Sequence, residues 1–144
     1  MRRFDLAIPS HLTAALLPDL LLMGGAMLLL LFAVWRRESR EHQRTIGVLS
    51  IALAFATLVA VVITMYDRAT ATDGPIAVDN FRWMMDVIIL LGTIGALALG
   101  IDDNDRAGTT TAETHVLILL ASSGMMLLAA ARDLMIVFLG IELM

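Results

Sequence analysis

The sequence predicts an all-α protein, a polytopic bundle of transmembrane helices. Hydrophobic residues make up 59% of the 144 residues and charged residues only 17%, against roughly 45–50% and about 25% in soluble globular proteins. The mean hydropathy is +0.85, and the charges are confined to short segments between long apolar runs. Helices need such runs to cross the hydrocarbon core of a bilayer. We expect about four full spans and the first half of a fifth.

The apolar runs set the bounds of these spans. The first two end at Trp35 and Tyr66, aromatic residues of the kind that is enriched at membrane–water interfaces. The predicted spans cover residues 14–35, 45–66, 83–101, 114–131 and 134–144, the last of them incomplete. Its 11 residues make only about 16 Å of helix, half of a hydrocarbon core that is about 30 Å thick. We therefore interpret the chain as the N-terminal part of a longer protein.

The distribution of arginine predicts the orientation. The loop after the first span carries Arg36, Arg37, Arg40 and Arg44, and loops rich in basic residues stay in the cytoplasm. This places the N-terminus and the loop over residues 67–80 outside, and the loop over residues 102–113 inside.

The composition excludes several kinds of site. The chain has no cysteine, so iron–sulfur ligation by cysteine and thiolate metal sites are excluded. His11, His42 and His115 are far apart in sequence, and the sequence contains no phosphate-binding or dinucleotide-binding glycine motif. The net charge of −4 argues against nucleic acid as a partner. We expect no redox centre, cofactor site or metal site within this chain.

Small residues predict where helices pack together, because close approach of backbones drives helix association in lipid. Three sets are expected to form packing seams: Ala52, Ala56 and Ala60; Gly92, Ala96 and Gly100; and Ala121-Ser-Ser-Gly124. The two serines of the last set could instead line a hydrated path. Asp19 and Asp86 are interpreted as interfacial residues at the starts of their spans, and Glu113 and His115 as part of a solvated helix start.

Glu142 is the candidate functional residue. Asp133 is the expected N-cap of the fifth helix, and Glu142 lies nine residues further on, about 13 Å deeper and near the middle of the bilayer. A carboxyl group at this depth costs roughly 2.5–3.5 kcal/mol on insertion scales and marks a proton or ion pathway when it is retained. We predict that Glu142 takes up and releases protons. The alternative is that it only forms a hydrogen bond to a neighbouring helix.

The segment from Glu113 to Met144 resembles the antiporter-like membrane subunits of bacterial NADH-quinone oxidoreductase (respiratory complex I), and subunit N in particular. Its markers are Gly124-Met-Met-Leu127 and Asp133-Leu-Met-Ile-Val-Phe-Leu-Gly-Ile-Glu142-Leu. Upstream, Leu16-Leu-Pro-Asp19 and Val78-Asp-Asn-Phe81 are similar to the openings of the first and third helices in that family. The family pattern puts its fifth-helix glutamate at Glu142.

The resemblance implies a proton-translocating, multi-pass subunit of the bacterial inner membrane that belongs to an NADH:quinone oxidoreductase. It implies that the partners are the other membrane subunits and the lipid bilayer. FMN, iron–sulfur clusters, NADH and quinone would be bound by other subunits. The lysine that pairs with the glutamate in the family would lie beyond Met144. An Mrp-type sodium/proton antiporter subunit and a structural membrane module without a transport role are the alternatives.

Overall fold

The computed structural model describes residues 10–35, 40–66, 76–107 and 112–144, and these residues form a bundle of five helices. The helices are α1 (Ser10–Trp35), α2 (Arg40–Tyr66), α3 (Asn80–Ala107), α4 (Ala112–Ala129) and α5 (Leu134–Leu143). The described part of the chain has no extended strand, only an isolated bridge between Ile76 and Ala131. The all-α prediction is therefore confirmed.

The helices α1 to α4 all begin before the predicted spans: α2 starts at Arg40 rather than residue 45, and α4 at Ala112 rather than residue 114. The helix α1 starts at Ser10 rather than residue 14, so Pro18 lies inside it. The helix α3 starts at Asn80 rather than Trp83 because Asp79 caps it: the backbone N–H of Arg82 donates to Asp79 Oδ1 at 2.9 Å. A side chain that accepts from the third backbone amide after it is the usual N-cap arrangement.

Three of the helices are long and apolar enough to cross a membrane, with candidate spans over Leu16–Trp35, Arg44–Tyr66 and Asn80–Ile101. The apolar parts of the last two helices, Glu113–Ala129 and Leu134–Leu143, are shorter. The predicted loops over residues 36–44 and 102–113 are too long, because residues 40–44 belong to α2 and residues 102–107 to α3. Residues 36–39, 67–75 and 108–111 of the predicted loops lie outside the described residues.

The first four helices enclose the core, and α5 packs on α4 at the edge of the bundle. The core is formed by one face of each of these four helices. Its fully buried apolar side chains include Leu22 and Ala26 of α1, Ala54 and Val61 of α2, Leu90 and Leu97 of α3, and Val116, Leu119 and Met126 of α4.

One end of the bundle is tied together by main-chain contacts between two connecting segments. Ile76 and Ala131 form the isolated antiparallel bridge, and the backbone N–H of Ala77 donates to the carbonyl of Ala130 at 2.7 Å. The segment before α3 is thus held against the turn between α4 and α5. Residues 76–78 are buried there.

Two of the three predicted packing seams are wrong for the described part of the chain. Ala52, Ala56, Gly92 and Ala96 are exposed, and a Cβ added to Gly92 would meet nothing within 4 Å. The reason is that other residues at helical spacing fill the buried faces. These are Ile46, Ser50, Ala54, Thr57 and Val61 on α2, and Arg82, Asp86, Leu90, Thr93 and Leu97 on α3.

The third predicted seam, Ala121 to Gly124 on α4, is confirmed as a packing surface. Ser122, Ser123 and Gly124 are buried. A Cβ on Gly124 would come within 2.8 Å of the carbonyl oxygen of Gly140 on α5, and one on Gly140 within 3.2 Å of the carbonyl oxygen of Gly124. Both positions therefore require glycine, because the two backbones approach too closely for a side chain on either helix.

Candidate functional site

Glu142 lies on the outer face of α5. This helix begins at Leu134, and Asp133 is its N-cap: the backbone N–H of Met135 lies 3.4 Å from Asp133 Oδ1. The predicted cap is therefore confirmed. The side chain of Glu142 is exposed, and among the residues that the structure describes no ion pair or hydrogen bond joins it to another side chain.

The orientation of Glu142 follows from the packing of Gly140. Gly140 is buried against Leu128 and Gly124 of α4. A step of two residues along a helix turns the side-chain direction by about 200°. Glu142, two residues after Gly140, therefore points away from α4 and from the bundle. Its neighbours Leu139 and Ile141 are likewise exposed. The carboxyl group thus faces a side of the helix that the first four helices do not cover.

A second group of charged residues, which the sequence did not single out as a site, is buried between α1 and α3. We call Asp19, Arg82 and Asp86 the charged cluster. Arg82 Nη2 forms an ion pair and hydrogen bond with Asp19 Oδ2. Arg82 Nε lies 3.5 Å from Asp86 Oδ2. The side chains of Arg82 and Asp86 have no exposed surface, and that of Asp19 is 10% exposed.

Arg82 holds this end of the bundle together through further contacts. Its Nη1 donates to the carbonyl of Ala77 at 3.3 Å, in the segment that bridges to the α4–α5 turn. Its guanidinium carbon lies 4.9 Å from the ring centroid of the buried Trp83, within the range of a cation–π interaction. One side chain thus joins α1, α3 and the connecting segment.

Asp19 and Asp86 are buried between helices, which their interpretation as interfacial residues did not predict. A signal for the cluster is present in the sequence: Arg82 and Asp86 have opposite charges and are four residues apart in an otherwise apolar helix, which puts them on one face. Asp19 could not be assigned to them, because no local pattern shows that α1 packs against α3 at this position.

Hydroxyl groups lie further along the buried face of α3. Thr93 Oγ1 and Ser122 Oγ are 2.6 Å apart across α3 and α4. They also lie 2.7 Å from the carbonyl oxygens of Ile89 and Ile118 respectively. Because each hydroxyl has one hydrogen to donate, only two of these three contacts hold a hydrogen bond at any moment. The pair joins two helices, and the fully buried Leu90 lies between it and Asp86 in sequence.

His115 lies near the start of α4, at the end of the bundle opposite the charged cluster. It is 4% exposed, so the interpretation of a solvated helix start is wrong for His115, whereas Glu113 is exposed as expected. A Cβ on Gly100 would be 3.6 Å from His115 Nε2, and one on Gly47 would be 3.4 Å away. Two glycines on α2 and α3 thus leave room for this ring.

Comparison with known proteins identifies relatives over almost the whole chain. NADH-quinone oxidoreductase subunit N of Gemmatimonas aurantiaca is 48% identical over 139 residues, which cover 90% of this chain and 27% of that protein. Subunit N of Methylobacterium nodulans is 35% identical over 127 residues, 88% of this chain and 26% of the relative. Subunit N of Parvibaculum lavamentivorans is 32% identical over 137 residues, which cover 94% of this chain and 27% of that protein.

The chain is similar over almost its whole length to subunit N proteins of NADH-quinone oxidoreductases. It matches no family model. It spans about a quarter of the length of the curated subunit N proteins that it matches. Its apolar helices and this similarity together support a location in a membrane.

Proposed function

We propose that this chain forms part of a proton-translocating membrane subunit of NADH:quinone oxidoreductase, in which Glu142 carries protons. The similarity to proteins named subunit N carries the proposal. The subunit would lie in the bacterial inner membrane beside the other membrane subunits. Proton transfer through it would be coupled to electron transfer from NADH to quinone, with FMN and iron–sulfur clusters held by other subunits.

The position of Glu142 supports a role in proton transfer. A carboxyl group in a helix such as α5, whose other residues are apolar or glycine, is costly in lipid unless it meets a partner or a water-filled cavity. Glu142 points away from the four helices that enclose the core, so we place such a partner on the far side of α5. A cation there would stabilise the ionised carboxylate, and its movement away would favour protonation.

Two alternatives remain distinct from this proposal. In a sodium/proton antiporter subunit, transport would respond to sodium and would not depend on NADH oxidation. In a structural module, Glu142 would serve only to connect helices. The names of the matched relatives favour the oxidoreductase over the antiporter, and the lack of a contact between Glu142 and the described helices favours a role beyond their packing.

Substitution of Glu142 tests the proposal in the native complex. Glu142→Gln keeps the size of the side chain but removes the titratable proton. We expect the complex to assemble, and both proton pumping and NADH:quinone turnover to fall at least severalfold. Glu142→Asp should keep part of the activity, because it retains a carboxyl group that is one methylene shorter. Proton uptake in sealed vesicles and NADH oxidation rates measure both effects.

The matched control is Asp133→Asn, which changes an exposed carboxylate on the same helix and should leave the coupling of pumping to turnover unchanged. If Glu142 only connects helices, the order of effects reverses: Glu142→Gln should behave like wild type, and Glu142→Ala should fail to assemble. Wild-type pumping by the Gln variant, with the subunit present in normal amounts, would rule out the proton-carrier role.

A further inference from the structure

The charged cluster at the end of the bundle has more negative than positive charge. Two carboxylates, Asp19 and Asp86, contact one guanidinium group, that of Arg82. If all three groups were ionised, the cluster would carry one uncompensated negative charge. Moving a charged group from water into a protein interior costs free energy, and an ion pair of imperfect geometry does not offset all of this cost. One further positive charge would make the cluster neutral.

Asp86 is the group that lacks compensation. Its side chain has no exposed surface, and neither of its carboxylate oxygens has a hydrogen-bond partner. Buried carboxylate oxygens almost always accept hydrogen bonds. Asp19, in contrast, accepts a hydrogen bond from Arg82 through Oδ2. The single guanidinium thus satisfies Asp19 better than Asp86.

Among the described residues, no second arginine is buried beside Asp86. Outside the cluster, His115 is the only buried ionisable residue in the described part of the chain. It lies near the start of α4, at the end of the bundle opposite the cluster. The buried residues that α2 and α4 contribute near this end, such as Val61 and Met126, are apolar, and so is the buried Ala130 just after α4. Asp79, at the start of α3, is an acid that caps the helix.

We infer that the charged cluster is a proton-binding site in which Asp86 holds a proton and Asp19 remains ionised beside Arg82. A proton from water adds to one oxygen of Asp86 and forms an O–H bond. Asp19 Oδ1 is the other buried carboxylate oxygen in the cluster without a hydrogen-bond partner, so an acceptor is still unused within the cluster. The cluster is then neutral overall, with one acid, one carboxylate and one guanidinium.

A proton fits this site better than a metal cation. Sodium-sized and larger cations need several oxygen ligands around them, and the described residues contain no group of three or more acidic, histidine or cysteine side chains that could hold a metal ion. A proton needs only one donor–acceptor pair. The site is separate from Glu142, because it lies on α1 and α3 and makes no use of α5, so it stands independently of the proposed function.

Infrared spectroscopy of the intact subunit in lipid tests this inference, because the carbonyl stretch of a protonated acid is resolved from that of a carboxylate. We expect Asp86→Asn to remove one carboxylic-acid band per subunit at neutral pH. Asp19→Asn should remove the same band, because the one remaining carboxylate, Asp86, then ionises and pairs with Arg82. Glu142→Gln should leave the band in place.

Each outcome decides the question. An acid band that persists unchanged in both Asp86→Asn and Asp19→Asn would overturn the inference, since the cluster would then hold no proton. Carboxylate bands that shift when sodium is replaced by choline, with no acid band lost in the variants, would assign the site to a metal cation and would also overturn it. If Asp86→Asn does not fold, the effect of Asp19→Asn alone decides between these results.

Discussion

Arg82 connects more elements of this molecule than any other side chain in its cluster. Its guanidinium binds Asp19 on α1, Asp86 one turn further along α3, and the carbonyl of Ala77 in the connecting segment. A planar group with five donors can make several such contacts at once, which a lysine could not reproduce. Removing it would leave the buried carboxylate of Asp19 without its counter-charge.

We therefore expect Arg82→Gln to destabilise the subunit by about 3–5 kcal/mol, the usual cost of removing one partner from a buried ion pair. Denaturant unfolding of the purified subunit in detergent measures this loss. The control is Arg44→Gln, which removes an exposed arginine and should change the stability by less than about 1 kcal/mol. Equal stability of the two variants would show that the charged cluster contributes nothing to the fold.

The sequence identified Glu142 more readily than it identified the charged cluster, and the difference has a physical reason. Glu142 is an isolated carboxyl in an apolar helix, so its depth follows from counting residues after Asp133. Asp19 and Asp86 lie close to the starts of their predicted spans, where an interfacial position is equally compatible with the sequence. Only the packing of α1 against α3 shows that both are buried and share Arg82.

The contact between α4 and α5 depends on glycine at two positions. Gly124 and Gly140 bring the two backbones together, and this contact sets the direction in which Glu142 points. A side chain on either glycine must push the helices apart or rotate them. The contact therefore fixes both the position of α5 and the face on which its carboxyl group lies.

Gly124→Ala should weaken this contact, because the new methyl group would lie 2.8 Å from the carbonyl oxygen of Gly140 and 2.9 Å from the backbone nitrogen of Met144. These are backbone atoms, which cannot turn aside as a side chain can. We expect a loss of about 1–3 kcal/mol, as is usual for overpacking. Thermal unfolding of the purified subunit gives the size of the effect.

Gly92→Ala is the matched control, because a Cβ there would meet nothing within 4 Å and alanine favours the helix over glycine. This variant should be as stable as wild type or slightly more so. A loss as large as that of Gly124→Ala would show that the predicted seam over Gly92, Ala96 and Gly100 packs against a further helix after all.

Small residues alone did not indicate which helix face is buried. The spacing of Gly92, Ala96 and Gly100 and that of Ser122 and Gly124 both permit close packing. The described helices use only the second set, because the buried face of α3 is already occupied by the charged cluster residues and by Leu90 and Leu97. Length and hydropathy predicted the helices, but the choice of faces depends on contacts between helices that are distant in sequence.

The order of the helices determines which connecting segments share a side of the membrane. The N-terminal half of α1 and the start of α3 meet in the charged cluster, and the turn between α4 and α5 bridges to the segment before α3. These elements therefore lie at one end of the bundle. The last residues of α1 and α3 and the first residues of α2 and α4 lie at the other end.

Single cysteines can report this arrangement directly, because the chain has no cysteine of its own. We predict that a membrane-impermeant thiol reagent, added outside intact cells, labels Thr72→Cys but not Ser39→Cys or Thr110→Cys. The arginines of residues 36–44 keep Ser39 in the cytoplasm, and the fold requires Thr110 to be on the same side as Ser39. Labelling of all three after the cells are permeabilised confirms that each cysteine can react.

Labelling of Ser39→Cys and Thr110→Cys from outside, without Thr72→Cys, would reverse the orientation and keep the fold. Labelling of Ser39→Cys together with Thr72→Cys would contradict the fold itself, because the two positions flank α2, a helix whose ends must lie on opposite sides of the membrane.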